Sequence, residues 1–490
     1  MNLSHWIERH ARFAPGAVAI RFEGVDLSYA ELARRIQGAA AVLAERGVKR
    51  GDAVAWLGVN HPAVLVLLFA CARLGAMLAP LNWRLAPPEH ARVLADCPPR
   101  VLFAEPAFAG HARSIEGAIA ATEISVLEKT AGGSVAQGGD EDSPLLLCYT
   151  SGSTGAPKGV VLTQRAILWN AVNSTHMHDL TSADRVLTTL PLFHVGGMNI
   201  QTTPALHAGA SVTLHAKFDP AATLDAIERE RITLAVLVPA QLSALMALPR
   251  WQSADLSSLR MITTGSTIVS EAFVRRASSR GVPVIQVYGS TETCPVAAYV
   301  RAADALRKAG SAGLPALHCE VKVVGEDGAE LPPGRDGEIL VRGPNVAAGY
   351  WNAPHDTARV FADGWYRSGD LGHFDGEGHL YVVSRKTDMI ISGGENIYPA
   401  EVESVLLECA AIEEACVVGK PDARWGEKVI AAVVVKAGCR VTRGELMELF
   451  EGRLARYKHP KDVHFLERLP RTALGKVRKE DVRAVIAEGQ

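Results

Sequence analysis

Thr150-Ser-Gly-Ser-Thr-Gly-Ala-Pro-Lys-Gly159 is the most distinctive stretch of this sequence, with three glycines, four hydroxyl residues and one lysine. It follows an apolar run, Leu145-Leu-Leu-Cys-Tyr149, that predicts a buried strand. Beyond it, Thr163 is placed to cap a helix. Small residues let backbone N–H groups close on a polyanion, and the hydroxyls and the lysine add donors. The composition therefore predicts a loop that binds a triphosphate.

The Walker A phosphate loop is the obvious alternative for this stretch, and the sequence excludes it. In that loop, a glycine precedes the lysine and a hydroxyl residue follows it. Here Pro157 precedes Lys158 and Gly159 follows it. Proline removes an N–H donor and fixes φ, so the Walker cradle cannot form. A plain surface loop is the other alternative, which the apolar strand before it disfavours.

Composition describes an ordinary globular protein of several domains. The chain has 490 residues, of which 48% are hydrophobic and 21% charged, and its length suggests roughly two to four domains. The net charge of −2, with both signs interspersed, gives no electrostatic footprint for nucleic acid. A charged small molecule can still bind locally, so the expected partner is small.

The cysteines and the apolar segments favour a cytoplasmic protein without a membrane span. None of the eight cysteines forms a C-x-x-C pair, which indicates reduced thiols rather than a disulfide or zinc framework. The N-terminus lacks the apolar core of a signal peptide. The most apolar window, residues 63–81, contains Arg73 and is expected to form a core helix rather than a transmembrane segment.

Alternating helix and strand patterns over the first three hundred residues predict a mostly parallel sheet covered by helices. The capping box Ser28-Tyr-Ala-Glu31 predicts a helix to about Arg46, and Asn60 is the expected cap of a helix over residues 61–74. Ligands in such sheets bind beyond the carboxyl ends of the strands. The glycine-rich stretches follow strands and are therefore expected to converge on one edge.

After about Cys319 the pattern changes to antiparallel strands, and the last hundred residues have their own βα pattern. A second capping box, Thr442-Arg-Gly-Glu445, predicts a helix to about Leu454. A polar cluster near residues 385–388 separates two apolar runs. We place a domain boundary there, with residues 1–386 as one domain and residues 387–490 as a second.

Further stretches carry candidate chemistry, and each has a plain structural alternative. His194 precedes two glycines, and a lone histidine is more often a satisfied core residue at a helix start. Tyr288-Gly-Ser-Thr-Glu-Thr293 offers an aromatic face for a base and the carboxylate of Glu292 for a metal. Asp370 can accept two ribose hydroxyls, or it can simply form a turn. Lys476 lies in a glycine-containing loop, where a lysine is usually solvated.

Taken in order, these stretches resemble the adenylate-forming, AMP-binding superfamily, which includes acyl-CoA synthetases, aryl-CoA ligases and luciferases. The resemblance runs from about Trp6 to Lys479. It implies an α/β fold: a large N-terminal domain of stacked, largely parallel sheets flanked by helices, a β-barrel-like subdomain, and a small mobile α+β C-terminal domain. It leaves the oligomeric state open, with a homodimer as one candidate.

The resemblance also implies a two-step reaction that uses ATP, Mg²⁺ and coenzyme A. A small-molecule carboxylate attacks the α-phosphorus of ATP to give an acyl-adenylate and pyrophosphate, and the CoA thiol then displaces AMP. An anion must attack a polyanion in the first step, so cations and N–H donors are needed where negative charge accumulates.

Site residues follow from the resemblance. The phosphates are assigned to one loop, comprising Thr150, Ser151, Gly152, Ser153, Thr154, Gly155 and Lys158. Glu292 is assigned to Mg²⁺ with Thr154 nearby. The base and ribose are assigned to Gly265, Ser266, Tyr288, Gly289, Thr291, Asp370 and Arg385. Lys476 is expected to bridge the carboxylate and the α-phosphate, and His194 to border the carboxyl end of the acyl pocket.

The C-terminal domain is expected to rotate after adenylation, which removes Lys476 and brings Gly393 and Gly394 to the thiol channel. The hinge position usually holds Asp or Lys, whereas Thr387 stands there in this sequence. Either Thr387 serves, because a hinge needs backbone freedom rather than charge, or Lys386 shares the role.

The acid is the least determined part of the prediction. Residues 195–203, 236–241, 265–267 and 294–296 are the candidate lining, and most are apolar or small. A dicarboxylate would need a buried cation, and no Arg or Lys lies in 194–203 or 286–296. We therefore expect a monocarboxylic acid, with a fatty acid first and an aromatic acid of the cinnamate or benzoate kind as the alternative. Loading of a carrier protein and a catalytically silent ligand-binding homologue are further alternatives.

Overall fold

The structure, a computed structural model, describes residues 1–115, 117, 119–128, 137–151, 157–386, 388–392, 395–422, 425–451, 453–454, 456–472 and 476–488. It forms two compact units. The first comprises Met1–Val321 and Leu340–Arg367, and the second comprises Lys322–Ile339 and Ser368–Gln490.

A nine-stranded sheet spans the first unit, and six neighbouring strands at its centre are mutually parallel. In spatial order its strands are Leu314–Pro315, Ala298–Tyr299, Val284–Tyr288, Met261–Thr264, Leu234–Val236, Arg185–Thr188, Ser211–Leu214, Val18–Phe22 and Val25–Ser28. The parallel strands all present their carboxyl ends at the same edge of the sheet, which is the edge where such sheets bind ligands.

A second sheet of the same unit has seven strands and carries the phosphate-loop stretch. In spatial order they are Gly349–Tyr350, Pro157–Thr163, Pro144–Ser151, Met77–Leu81, Ala53–Leu57, Val101–Ala104 and Thr122–Glu123. The strands from Pro144–Ser151 to Thr122–Glu123 pair in parallel, and Pro157–Thr163 pairs antiparallel with both of its neighbours. The predicted α/β class with largely parallel sheets is confirmed.

Helices cover both sheets. The α-helices of the first unit are Ser4–Phe13, Tyr29–Glu45, Pro62–Leu74, Pro87–Asp96, Ala109–Arg113, Ser125–Glu128, Gln164–His178, Val195–Gly197, Thr203–Ala208, Pro220–Arg229, Pro239–Met246, Glu271–Ala277 and Pro354–Val360. Shorter 3₁₀ and π segments are Pro106–Phe108, Met198–Thr202, Pro249–Gln252, Ser278–Arg280, Thr291–Thr293 and Ala302–Asp304. The apolar window of residues 63–81, which was expected to form a core helix, forms most of the helix Pro62–Leu74 and then the strand Met77–Leu81. Every residue of this helix is buried, which explains why it is apolar on nearly all sides. Among the described residues, no helix has both the length and the apolarity needed to cross a bilayer.

The helix caps confirm two predictions and correct one. Ser28 accepts a hydrogen bond from the Glu31 backbone, and Thr163 accepts one from Ala166. The predicted cap at Asn60 is wrong. His61 caps the helix through its side chain, because Pro62 is the first helical residue and moves the cap one position along the chain.

The buried amide of Asn60 instead forms hydrogen bonds with the loop at Leu190 and Leu192 and with His215, so it is not available as a cap. Its amide group donates to the carbonyl oxygens of Leu190 (2.9 Å) and His215 (3.0 Å), and its Oδ1 accepts from the backbone of Leu192 at 2.8 Å. These bonds fix the loop that leads towards His194.

The second unit is built on an antiparallel hairpin of Ile412–Asp422 and Gly426–Val435, extended by Ile390–Ser392, Glu395–Ile397 and Asp462–Phe465. Its helices are Pro399–Leu407, Arg443–Glu448, Arg456–Lys458 and Lys479–Glu488, and the remaining strands after Cys319 are Glu320–Val324, Gly337–Arg342, Phe361–Ala362, Trp365–Phe374 and Leu380–Arg385. The capping box at Thr442 is present, but its helix ends at Glu448 instead of near Leu454, as Phe450 turns into the core. The boundary between residues 386 and 387, and the mobility of the C-terminal domain, stay predictions.

A buried histidine predicts how the stability of the chain depends on pH. His178 ends the helix Gln164–His178, and burial lowers its pKa from 6.5 to about 4. Between these values the unfolded chain binds a proton that the folded chain does not, so the free energy of unfolding falls as pH falls from about 6.5 to about 4. We expect His178 to account for a loss of about 2 kcal/mol between pH 7 and pH 5.

Urea unfolding at the two pH values measures this effect. A His178→Gln variant, although less stable at pH 7, is expected to lose about 2 kcal/mol less than the wild type on acidification. His355→Gln, at an exposed histidine, is the control and is expected to keep the wild-type change. Equal losses in the wild type and in His178→Gln would contradict the assignment.

Candidate functional site

The phosphate-loop stretch joins two antiparallel strands, Pro144–Ser151 and Pro157–Thr163. Thr150 faces Lys158 across this pair, and the Thr150 hydroxyl donates a long hydrogen bond of 3.5 Å to the Lys158 carbonyl oxygen. Ser151 is described as part of its strand only. The other predicted phosphate ligands, Gly152, Ser153, Thr154 and Gly155, lie outside the described residues, so their roles stay predictions.

Lys158 is held by an acidic residue that the sequence analysis did not consider. Its Nζ lies 2.7 Å from Oδ2 of Asp356 and 5.8 Å from the centre of the Tyr350 ring. Asp356 also accepts a hydrogen bond from Arg359, and these partners, Lys158 foremost, lower the pKa of its carboxyl group. The ammonium group that is predicted to bind phosphate is therefore paired with a carboxylate in this structure.

Tyr350 contacts both Glu292 and Lys158. The Tyr350 hydroxyl donates a 2.8 Å hydrogen bond to Oε1 of Glu292, while the same ring lies beneath the Lys158 ammonium. Burial, followed by the Glu292 charge, raises the pKa of Tyr350, so the hydroxyl stays protonated and able to donate. Within the described residues, Oε2 of Glu292 accepts no hydrogen bond. An oxygen acceptor in this position fits a hard cation such as Mg²⁺.

The base-binding residues predicted after two neighbouring strands do converge. Gly265 and Ser266 follow Met261–Thr264, and Tyr288 ends the adjacent parallel strand. A Cβ at Gly265 would lie 2.6 Å from the Val287 carbonyl oxygen, so the packing of the two strands already requires glycine there. At Gly289, with φ of +154°, a Cβ would lie 1.7 Å from the Pro295 carbonyl oxygen.

The segment that contains Glu292 is fixed by its own hydrogen bonds. Thr291 and Glu292 belong to the 3₁₀ turn Thr291–Thr293, and Ser290 donates to the hydroxyl of the buried Tyr366 at 3.1 Å. The Glu292 carbonyl oxygen accepts from the Ala347 backbone at 2.7 Å. These contacts hold the carboxylate in place without using it, as a metal ligand requires.

His194 starts a short helix, as the plain structural alternative proposed. Its Nδ1 accepts the Gly196 backbone N–H at 3.0 Å and so caps Val195–Gly197. Capping does not conflict with a place at the acyl pocket, because the glycines that follow line a small cavity of about 10 Å³. Its wall is formed by residues 187–190 and 236 at strand ends, and by residues 196, 197, 201 and 202.

Asp370 and Arg385 meet within the second unit. They face each other across two antiparallel strands, and Nε of Arg385 lies 3.3 Å from Oδ1 of Asp370. Asp370 therefore lies inside a strand rather than in a turn, which removes the plain alternative for this carboxylate. Arg385 is largely exposed. Its neighbour Lys386 lies 3.7 Å from Glu338, whereas Thr387, Gly393 and Gly394 lie outside the described residues.

Lys476 is an exposed residue of the second unit. Its backbone N–H donates to the Thr472 hydroxyl at 3.2 Å, and its carbonyl oxygen accepts from the Thr472 backbone at 2.7 Å. Arg471 and Val477, which flank these two residues, form a β-bridge. These contacts fix the backbone of Lys476.

The sequence analysis missed two residues of the candidate site and did not single out a third. Tyr350 could have been noticed as the first of two aromatic residues in a Gly-Tyr-Trp run, and Gln201 was included only within the stretch 195–203 proposed as acyl lining. Asp356 gave no signal, because it is one acidic residue on a short helix and its partner lies far away in the sequence.

The ion pair predicts that removal of Asp356 strengthens ATP binding. Asp356 competes with phosphate for Lys158, and the pair is partly exposed, so its effect is modest. We expect Asp356→Ala to lower the KM for ATP by about twofold to fivefold with kcat little changed. Steady-state kinetics at varied ATP concentration measure this change.

The matched control for that variant is Asp225→Ala, which breaks an aspartate–arginine pair on another helix. It is expected to leave the KM for ATP at the wild-type value. An unchanged or raised KM in Asp356→Ala would contradict competition between Asp356 and phosphate.

Comparison with known proteins places these features in a family. The AMP-binding enzyme family matches residues 7–351, and the AMP-binding enzyme C-terminal domain matches residues 401–476. An indoleacetate–CoA ligase from Aromatoleum aromaticum is 58% identical over 99% of this chain and 98% of its own length. A feruloyl-CoA synthase from Amycolatopsis is 45% identical over 98% of each chain. A long-chain-fatty-acid–CoA ligase from Mycobacterium tuberculosis is 35% identical over 98% of each chain.

Solved structures agree with these relatives. The o-succinylbenzoate CoA synthetase of Bacillus subtilis with its acyl-adenylate intermediate has a TM-score of 0.90, is 35% identical, and is matched over 98% of this chain and 97% of its own. The same synthetase has been solved with ATP and a magnesium ion. The expected enzyme class, with ATP, Mg²⁺ and coenzyme A, is confirmed. The chain therefore belongs to the AMP-binding enzyme family and is an ATP-dependent acid–CoA ligase.

Proposed function

We propose that this chain activates an aromatic monocarboxylic acid, of the arylacetate or cinnamate kind, and joins it to coenzyme A. The observation that carries the proposal is the 58% identity to an indoleacetate–CoA ligase over nearly the whole chain. The 45% identity to a feruloyl-CoA synthase supports the same class. The fatty acid that the sequence placed first is less supported, because its relative is only 35% identical.

The lining of the cavity beside His194 supports an acid with a single carboxylate. The cavity has a volume of about 10 Å³, which is room for about one water molecule, so its size favours neither a ring nor a chain. Its described lining contains no Arg or Lys, which leaves a second carboxylate without a counterion. His194 borders the carboxyl end in this proposal.

The first unit supplies the charges for adenylation. Lys158 leaves Asp356 to bind the β- and γ-phosphates, and Thr150 and its loop add donors around them. Glu292, oriented by Tyr350, holds Mg²⁺ near the phosphates. Bound Mg²⁺ would neutralise charge that builds up on the phosphates and the departing pyrophosphate. Tyr288 stacks on the adenine, beside the backbone of Gly265.

The second unit supplies the ribose contact and the cation for the reacting atoms. Asp370 accepts the two ribose hydroxyls, and Arg385 lies beside it to orient the carboxylate. Lys476 contacts both the acid's carboxylate and the α-phosphate, where negative charge develops. For thioester formation, Lys476 withdraws and the segment with Gly393 and Gly394 contacts the thiol.

A panel of acids tests the proposed substrate class. AMP release is measured with ATP, Mg²⁺ and coenzyme A for indole-3-acetate, phenylacetate, ferulate, octanoate and palmitate. We expect kcat/KM for at least one aromatic acid to exceed both fatty acids by at least about tenfold. Reactions without acid or without coenzyme A are the controls. A fatty acid as the best substrate would overturn the proposal.

A further inference from the structure

Gln201 places an unpaired acceptor at the wall of the cavity beside His194. The residue lies on the π-helical turn Met198–Thr202, is 1% exposed and lines the cavity. Its Nε2 donates to the Thr263 hydroxyl at 3.3 Å. Its Oε1 is buried and has no hydrogen-bond partner among the described residues. A buried amide oxygen without a donor is costly, so it indicates that a partner arrives with a ligand.

A chain of hydrogen bonds determines which end of the Gln201 amide is the oxygen. His178 Nδ1 lies 2.9 Å from the Ser174 carbonyl oxygen, which can only accept, so Nδ1 carries the proton. His178 is uncharged at neutral pH because burial lowers its pKa to about 4. Nε2 therefore accepts, and its donor is the Thr263 hydroxyl at 2.9 Å.

The Thr263 proton is thereby committed to His178, so the Thr263 oxygen can only accept a hydrogen bond from Gln201. The amide must point its NH₂ group at Thr263, and its oxygen occupies the other position. The Ser174 carbonyl oxygen thus acts through His178 and Thr263 on Gln201. It determines that the unpaired end of the Gln201 amide is the oxygen, an acceptor, rather than the NH₂ group, a donor.

We propose that Oε1 of Gln201 accepts a hydrogen bond from a ring N–H or O–H of the acid, so that Gln201 selects aromatic acids that carry such a donor. This inference rests on the proposed function and makes its substrate class narrower. A fatty acid or an unsubstituted aromatic ring leaves the oxygen unpaired. A second anionic group on the acid is disfavoured next to Gln201, because it would face an acceptor and the described lining has no Arg or Lys.

Two nearly isosteric acids test the proposal. Indole-3-acetate carries a ring N–H, and 1-benzothiophene-3-acetate has sulfur in its place. We expect the wild-type enzyme to favour the indole acid by about 10- to 100-fold in kcat/KM. In Gln201→Met, which keeps the length of the side chain but removes the acceptor, the ratio is expected to fall to within about threefold of one.

A far-UV circular-dichroism spectrum and a thermal transition like those of the wild type show whether the Gln201→Met enzyme is folded. Thr223→Val removes an unpartnered buried hydroxyl in the helix Pro220–Arg229 and is expected to keep the wild-type ratio. If the wild-type enzyme has a ratio of indole to benzothiophene kcat/KM near one, the inference is overturned whether or not the variant folds. If Gln201→Met keeps the same ratio as the wild type, the inference is overturned as well.

Failure of the proposed function would look different. If both aromatic acids are good substrates with equal kcat/KM, the aromatic class stands and only the role of Gln201 fails. If neither is a substrate while octanoate is, the proposed function fails and the role of Gln201 fails with it.

Discussion

Replacing Lys476 with alanine is expected to lower the rate of adenylation on the order of 10²- to 10³-fold while thioester formation from a pre-formed acyl-adenylate continues. The lysine is proposed to contact the reacting carboxylate and the α-phosphate only in the first step. Loss of one such cation in a preorganised site lowers the rate on the order of 10²- to 10³-fold. The backbone of Lys476 is held by Thr472 and by the bridge between Arg471 and Val477, so truncation of the side chain should leave these contacts intact.

Two half-reactions separate the roles. Acid-dependent exchange between ATP and pyrophosphate reports adenylation, and conversion of synthetic indole-3-acetyl-adenylate to the CoA thioester reports the second step. Lys436→Ala, at a lysine of the same unit whose ammonium group donates to the Ala410 carbonyl oxygen, is the matched control. Equal loss of both half-reactions in Lys476→Ala would refute a role confined to adenylation.

Glu292→Gln is expected to lower the rate of adenylation on the order of 10²- to 10³-fold and to raise the Mg²⁺ concentration needed for half-maximal rate. The amide keeps the shape and can still accept from Tyr350, but it lacks the negative charge that strengthens binding of a hard cation. Tyr350→Phe keeps the charge and removes only the hydrogen bond, so its effect is expected to be smaller, about tenfold or less.

Pyrophosphate exchange at varied Mg²⁺ measures both variants. Glu271→Gln, which replaces an exposed carboxylate paired with Arg275, controls for loss of a negative charge elsewhere. An unchanged Mg²⁺ dependence in Glu292→Gln would remove Glu292 from the metal site. A larger effect of Tyr350→Phe than of Glu292→Gln would show that the tyrosine acts on the reaction in another way.

Local signals in the sequence predicted the elements that position the site. The capping residues Ser28 and Thr163 act through a backbone N–H only a few residues away, so their pattern is visible in the sequence. The convergence of Gly265 and Tyr288 followed from the rule that parallel strands share a carboxyl edge. The wrong cap at Asn60 shows the limit of local reasoning, since its partners Leu190, Leu192 and His215 are distant in sequence.

The sequence could not predict the contacts that orient Lys158 and Gln201. Asp356 reaches Lys158 only because Gly349–Tyr350 pairs with the strand that starts at Pro157. The acceptor on Gln201 depends on a chain of bonds through Thr263 and His178, whose order requires atomic positions. The sequence could not decide between a fatty and an aromatic acid, because apolar and small lining residues suit both classes.

A crystal structure of the enzyme with a non-hydrolysable sulfamate analogue of indole-3-acetyl-adenylate would test the central claim most directly. The claim is that residues distant in sequence bind one nucleotide. It predicts Tyr288 on the adenine, Asp370 at the ribose hydroxyls, and the indole ring in the cavity lined by Gln201. An analogue bound elsewhere, or Tyr288 and Asp370 facing different cavities, would contradict it.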